Sequence, residues 1–373
     1  MDLEFTEEQN ILKSAARNFL KNACPPALMK VVRDDPKGFP RTLWNQMAEL
    51  GWLGVMIPEE YGGIGGDFLD WTIILESMGE VCCPGPYFST VLGGLAILAA
   101  GTEEQKKKLL PELTQGKLLL ALAVSEPEAW YDLSSVTTRA SLGNDGYVLE
   151  GTKLFVENAH LADAILCAAR TEEGEKGISL FWVEAKAPGV KITPLKTLAY
   201  DGQCEVVFDK VRLPGKNLLG AAGQGLIYLK RLLQQASVGK CAEMVGTLQA
   251  VFDMTITYAK EREQFGLPIG SFQAIQHHCA DMIMDLDGAR FITYEAAWKL
   301  AEGLPARMEA AMAKAWTSEA ARRVTRLGLQ IHGAISYCDE HDMHLYYRKA
   351  KAGEMAFGDC NTHLDIVAKE LGL

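Results

Sequence analysis

Apolar residues recur at helical spacing from the start of the chain, where Ile11, Leu12, Ala15 and Phe19 follow Thr6-Glu7-Glu8-Gln9. A threonine three residues ahead of a glutamine can accept from an orphan amide while the glutamine reaches back, so the string reads as a capping box opening a helix. Thr102-Glu103-Glu104-Gln105 repeats the pattern before Leu109 and Leu110, and further helices fit Thr42 to Leu50 and Phe68 to Gly79. At about Leu118 the texture changes. Leu118 to Val124, Tyr147 to Glu150, Ala164 to Ala169, Ile178 to Val183 and Val206 to Phe208 are short apolar runs separated by Gly, Asn and Asp turns, which predicts a small β-barrel or sandwich. After Gly220, Gly223 and Gly225, the stretches Leu226 to Glu261, Phe272 to Ala301, Ala306 to Leu329 and Thr362 to Leu371 carry helix formers with few breakers, the pattern of an antiparallel helical bundle. The expected architecture is α+β and multidomain: a helical domain over 1–117, a β domain over 118–222 and a helical bundle over 223–373.

Composition narrows the function classes. The chain has 373 residues, 48% hydrophobic and 23% charged, enough to bury substantial cores. A net charge of −11, from 37 basic and 48 acidic residues, argues against nucleic acid or an anionic membrane surface as the main partner. Nine dispersed cysteines, with only Cys82-Cys83 adjacent, form neither a disulfide framework nor a CxxC metal pair, so a reducing cytoplasm is the expected compartment. The acidic start lacks a signal-peptide pattern, and the longest apolar stretch, near Leu92 to Ala100, is too short to span a bilayer.

Generic motifs carry little. Tyr61-Gly62-Gly63-Ile64-Gly65-Gly66 fails the dinucleotide fingerprint, because Phe68 stands where its last glycine belongs, and there is no Walker loop and no GxSxG elbow. His341 and His344 among Asp339, Glu340 and Asp342 lack metal-ligand spacing and read as a solvated loop. His277 and His278 are adjacent in a helix and diverge by about 100°.

Four strings in order do carry chemistry: Pro58-Glu59-Glu60-Tyr61-Gly62-Gly63, Ser125-Glu126-Pro127, Gly151-Thr152-Lys153 to Asp163, and Arg262-Glu263-Gln264-Phe265-Gly266, continuing to Gln276. Together they resemble the acyl-CoA dehydrogenase family over essentially the whole chain, and the last is the most specific. The resemblance implies an acyl-CoA substrate, an FAD that takes a hydride from the β-carbon, and a carboxylate that removes the α-proton. That weakly acidic proton needs a positioned base and hydrogen bonds to the developing enolate.

Carried over by residue, the resemblance places Arg262 on the pyrophosphate of FAD bound mainly by a neighbouring subunit, with Phe265, Gln273, Gln330 and Gly333 lining the same half of the cofactor. On the chain's own flavin side it implies Ser125 and Phe155. There the pattern is degraded: Glu126-Pro127 runs on as Glu128-Ala129-Trp130-Tyr131-Asp132 instead of a glycine-rich run, and Glu157 replaces a hydroxyl residue. The usual base position holds Phe357, and the minority position, 26 residues before Arg262, holds Ala236 followed by Ser237. Losing a positioned base costs about 10²–10⁴-fold in rate. Glu354, Asp359 and Glu243 are the nearest substitutes.

Because the neighbour-facing elements survive while the base and flavin cradle do not, the first expectation is a base-less subunit. It would pair with a homologous, complete acyl-CoA dehydrogenase chain in an α2β2 assembly acting on a bulky, steroid-side-chain-like acyl-CoA, with an electron-transfer flavoprotein as candidate acceptor. The alternative is a self-sufficient FAD homotetramer, either a dehydrogenase with a displaced base or a monooxygenase or oxidase. A ligand-free scaffold is disfavoured by the retained Arg262 string.

Overall fold

The computed structural model describes residues 5–35, 39–128, 132–174 and 177–373. Among the described residues, six α-helices come first: α1 (Glu7–Ala23), α2 (Pro26–Asp34), α3 (Arg41–Glu49), α4 (Phe68–Glu80), α5 (Tyr87–Ala100) and α6 (Glu103–Thr114). Both expected capping boxes form, Thr6 with Gln9 and Thr102 with Gln105, and Asp67 with Asp70 makes a third at the start of α4. The sequence pattern did not resolve α2 or α5. Nearly every residue of α5 is buried, so it has no polar face to reveal its period.

Among the described residues, eight strands follow: β1 (Leu120–Ala123), β2 (Arg139–Gly143), β3 (Gly146–Glu157), β4 (Ala164–Arg170), β5 (Ile178–Glu184), β6 (Val190–Pro194), β7 (Gln203–Pro214) and β8 (Leu218–Leu219). They form one mixed sheet in the order β6-β7-β3-β2-β4-β5-β8, with β1 parallel to β4. The long β3–β7 ladder is antiparallel, and its register slips between Lys153 and Val156. Ala121, Leu149, Ile165, Phe181, Val206 and Val211 fill the core beside it.

The last third consists of α7 (Gly225–Glu261), α8 (Gln273–Ala301), α9 (Arg307–His332), α10 (Met343–Met355) and α11 (Cys360–Glu370), with a two-strand hairpin, β9 (Glu263–Gln264) and β10 (Leu267–Pro268), between α7 and α8. The expected solvated loop over residues 339–344 is corrected in part, because α10 begins at Met343 and buries His344. Among the described residues no group of His, Cys, Asp or Glu could hold a metal, and no helix is long and apolar enough to cross a membrane.

These elements gather into two compact units. One comprises the chain up to Lys30, Asp67–Cys83 and Gln234–Leu373; the other comprises Val31–Gly66 and Pro84–Leu233. In the first, Met244, Leu248, Met282, Leu286, Val324 and Met343 make a core drawn from α7, α8, α9 and α10. Here α4 and α7 touch backbone to backbone. A Cβ at Gly79 would lie 1.9 Å from the Glu243 carbonyl oxygen, and one at Gly246 would lie 1.8 Å from that of Glu76. In the second unit the N-terminus of β1 is tied to α5, where the Leu120 amide donates to Thr90 Oγ1 at 3.2 Å.

Candidate functional site

Between α10 and α11 the chain has three linking residues before the cap Asp359, and two of them are left-handed: Phe357 at φ 57° and Gly358 at φ 106°. A bulky non-glycine residue in that conformation is strained, so its surroundings must hold it there. Lys314, fully buried on α9, does part of this. Its ammonium donates to the Glu354 carbonyl at 2.9 Å, the Gly358 carbonyl at 2.8 Å and Ser318 Oγ at 3.2 Å. His363 Nε2 donates to the Phe357 carbonyl at 3.0 Å. Burial pushes the Lys314 amine down to about 8 and the His363 imidazole down to about 4. Residue 357 therefore sits on a rigid mount that ends in a phenyl ring.

None of the three nearby carboxylates is free to replace it. Glu354 accepts from Arg322 at 2.6 Å and from Lys351 at 2.7 Å; burial would raise its carboxyl, but these cations outweigh it and hold it low. Asp359 caps α11, accepting from the Thr362 amide and hydroxyl, which lower its pKa. Glu243 is gripped by Lys240 and Lys349, each at 2.7 Å, and despite its burial is held at about 2. A base works best with a pKa near the working pH, and all three lie on the wrong side of that optimum. Ala236 is wholly buried in α7, and Ser237 Oγ donates to the Gln234 carbonyl at 2.9 Å.

In the sheet unit, Glu126 is a structural hub. Its Oε1 takes Lys153 Nζ at 2.7 Å and the Thr138 amide at 3.0 Å, while Oε2 takes the Thr137 amide at 2.7 Å and hydroxyl at 2.6 Å. Burial works against the anion, but Lys153 and the threonines bring its carboxyl down to about 2. Lys153 Nζ also donates to the Val124 carbonyl at 3.0 Å, and the Leu154 amide donates to the Ser125 carbonyl at 2.9 Å, fixing the loop after β1 against β3. At the register slip of β3, Phe155 takes φ 57° and turns outward with 59% of its surface exposed. Trp130 and Tyr131, expected to fill the place of the glycine-rich run, lie outside the described residues.

The third element is the turn after α7. Phe265 at φ 58° and Gly266 at φ 80° join β9 to β10, as a two-residue hairpin of the I′ kind demands. This leaves Phe265 94% exposed. Arg262 and Gln273 flank the hairpin, both exposed. Tyr258, one turn before Arg262, stacks on His332 at 4.4 Å, which brings the end of α7 to the end of α9, where Gln330 is exposed and Gly333 takes φ 68° and ψ −147°. The side chains of Arg262, Gln273 and Gln330 make no hydrogen bond or ion pair among the described residues. An unpaired guanidinium, an exposed ring on a constrained turn and two free amides suit a ligand with phosphates and a flat heterocycle. The structure thus brings Arg262, Phe265, Gln273, Gln330 and Gly333 to one end of the helical unit, while Ser125 and Phe155 lie in the sheet unit.

Comparison with known proteins decides the family. The sequence matches the N-terminal, middle and C-terminal domains of acyl-CoA dehydrogenases over residues 6–117, 121–211 and 223–372. The chain belongs to the acyl-CoA dehydrogenase family. It is 36% identical to acryloyl-CoA reductase (NADH) of Anaerotignum propionicum, over all of this chain and 96% of that one. The butyryl-CoA dehydrogenase structure from Megasphaera elsdenii superposes with a TM-score of 0.93 at 31% identity, covering both chains fully. The ChsE4-ChsE5 complex from Mycobacterium tuberculosis gives 0.92 at 28% identity over all of this chain and 99% of that one. As a family member, the chain is an FAD-dependent oxidoreductase acting on CH–CH bonds.

When bound, FAD supplies the hydride acceptor that side chains cannot be. The exposed Arg262, with no side-chain partner among the described residues, and the exposed Phe265 have the chemistry to meet an anionic group and a flat ring, whereas Phe357 offers no proton acceptor. Lys314 and His363 were not singled out in the sequence, and Glu126 and Lys153 stood in two of the matched strings without being linked as a pair; Lys314, in an alanine-rich run, had no signal.

Proposed function

We propose that this chain is the base-less partner subunit of an acyl-CoA dehydrogenase complex. It pairs with a homologous, complete chain and extends Arg262, Phe265, Gln273, Gln330 and Gly333 to FAD held mainly by that partner. The partner supplies the carboxylate that removes the α-proton of a bulky, steroid-side-chain-like acyl-CoA, and electrons leave to an electron-transfer flavoprotein. Ser125 and Phe155 are what remains of the chain's own flavin side. One contrast carries the reading: Arg262 and Phe265 are exposed and the Arg262 guanidinium has no partner among the described residues, while position 357 is a phenylalanine on a rigid mount with Glu354, Asp359 and Glu243 all engaged. The likeness to the ChsE4-ChsE5 complex, a pair of different chains by its description, supports it.

The test is purification of the chain alone and together with a homologous acyl-CoA dehydrogenase chain, measuring flavin per polypeptide and acyl-CoA oxidation with an artificial electron acceptor. Flavin and activity only in the mixture, at less than one flavin per chain, is the expected result. A yellow, active chain on its own overturns the reading in favour of a self-sufficient homotetramer. Phe357→Glu separates the two defects: the lone variant stays without flavin and inactive if the cradle is lost, and gains dehydrogenation if only the base is missing.

A further inference from the structure

Helices α7 and α9, which lead to Arg262 and to Gln330 and Gly333, lie against each other over two successive turns. At Gly328 on α9 a Cβ would stand 2.8 Å from Val251 Cγ1 and 3.3 Å from Thr255 Oγ1 of α7, so the missing side chain lets the helices close up. One turn further along both, the rings of Tyr258 and His332 stack with centroids 4.4 Å apart and planes inclined by 24°. Beyond the stack both helices end. The Arg262 amide donates to the Tyr258 carbonyl at 2.8 Å, and the Gly333 amide donates to the Leu329 carbonyl as α9 closes. Tyr258 and His332 therefore stand between the packed part of the two helices and the residues that their ends present.

The two nitrogens of His332, a residue only 4% exposed, are unequal. Nδ1 lies 2.8 Å from the Gly328 carbonyl oxygen, which can only accept, so Nδ1 carries the hydrogen and Nε2 is a bare acceptor. Among the described residues, that Nε2 is buried without a hydrogen-bond partner. The titratable groups facing the ring are Tyr258 from α7 and His341 from the segment before α10, whose ring stands edge-on at 5.0 Å between centroids. His341 Nδ1 accepts from the Met343 amide at 3.1 Å, which leaves its own hydrogen on Nε2. Neither neighbour is an acid that could receive a proton from His332. Burial first, and His341 in addition, lower the His332 pKa from 6.5 against the bond to Gly328, which raises it.

We propose that His332, stacked on Tyr258, is a positioning residue for the cofactor end of this chain: the stack sets Arg262 against Gln330 and Gly333, and a proton on His332 releases it. This rests on the reading that those three residues meet FAD. The sign follows from burial. A ring that resists protonation when packed is protonated more readily when it swings out, so acid favours the open arrangement below pH 6.5. Only the stacked fraction holds the guanidinium and the carboxamide at the spacing that the cofactor needs, and the apparent affinity falls with that fraction.

The experiment measures FAD affinity of the assembled complex by fluorescence titration of the apo-form. Wild type should lose roughly threefold to tenfold between about pH 7.5 and 5.5, the same loss that removing the stack gives. His332→Phe keeps a flat ring and has nothing to titrate, so it should bind within about twofold of wild type and lose the pH dependence. His332→Ala and Tyr258→Ala should bind more weakly at both ends of the range, Tyr258→Phe should bind normally, and circular dichroism checks that each chain is folded. His341→Gln should keep the acid loss. A full acid loss in His332→Phe, or a pH dependence abolished by His341→Gln, overturns the proposal. Arg262→Ala, titrated alongside, separates the two levels. If it weakens FAD binding while the alanine variants of the stack do not, only the positioning role falls; if it binds FAD as wild type does, the reading of the site falls and this inference with it.

Discussion

The ammonium of Lys314 lies 2.8 Å from the carbonyl oxygen of Gly358, so a fully buried lysine closes the turn that presents residue 357. Removing it with Lys314→Met leaves the Glu354 and Gly358 carbonyls without their donor, at about 1–3 kcal/mol each, and should destabilise the fold by roughly 2–5 kcal/mol in urea titration. The pH dependence is distinctive. With its folded value lowered from 10.5 to about 8, the unfolded chain binds more protons between those limits, so the wild type should gain on the order of 3 kcal/mol relative to Lys314→Met as pH rises from 8 to 10.5. A flat difference across that window would refute the buried-ammonium picture.

Glu126 behaves in the opposite sense. Its carboxyl is lowered from 4.5 to about 2, so its contribution is fully present above pH 4.5 and is lost as pH falls toward 2, on the order of 3 kcal/mol in all. Glu126→Gln strands the buried Lys153 ammonium and should cost about 3–5 kcal/mol at pH 7, with much of that recovered in Glu126→Gln/Lys153→Met. Equal stability of the single and double variants would show that the pair is not coupled.

Gly246 tests the contact between α4 and α7. Because a Cβ there would lie 1.8 Å from the Glu76 carbonyl oxygen, Gly246→Ala must push the helices apart and should destabilise by about 3 kcal/mol or more, despite alanine's better helix propensity. Thermal unfolding of the two proteins is the check; a stabilised variant would mean the helices part freely.

Arg262 should separate binding from stability. Exposed and unpaired, it can be replaced by Ala with a stability change within about 0.5 kcal/mol. Flavin affinity of the assembled complex should nevertheless fall tenfold to a hundredfold, since a charge-assisted hydrogen bond contributes about 1.5–3 kcal/mol. Fluorescence titration of the apo-complex with FAD measures it, and unchanged affinity would remove Arg262 from the cofactor site.

What the sequence disclosed and what it hid follow from where the determinants act. Capping boxes at Thr6 and Thr102 are contained within four residues, so they read directly. Helix α10 did not, because Asp339 to Asp342 look like a polar loop and the burial of His344, Leu345 and Tyr346 on successive positions gives no amphipathic period. Phe357 before Gly358, where the family resemblance leads one to expect a base, could be read as letters. The mount beneath it could not, since Lys314 lies more than forty residues away and its role exists only once α9 packs against the turn. Likewise the three candidate carboxylates looked equivalent as letters; their lysine, arginine and threonine partners, most of them tertiary, set them apart.

Phe265 rides on a two-residue turn, 94% exposed, with its ring edge-on to that of Phe272 at 6.1 Å between centroids. A newly made chain carries that apolar face from the moment it folds, and only another molecule can hide it. In the proposed complex, the protomer that covers this turn is the one whose departure returns the ring to water.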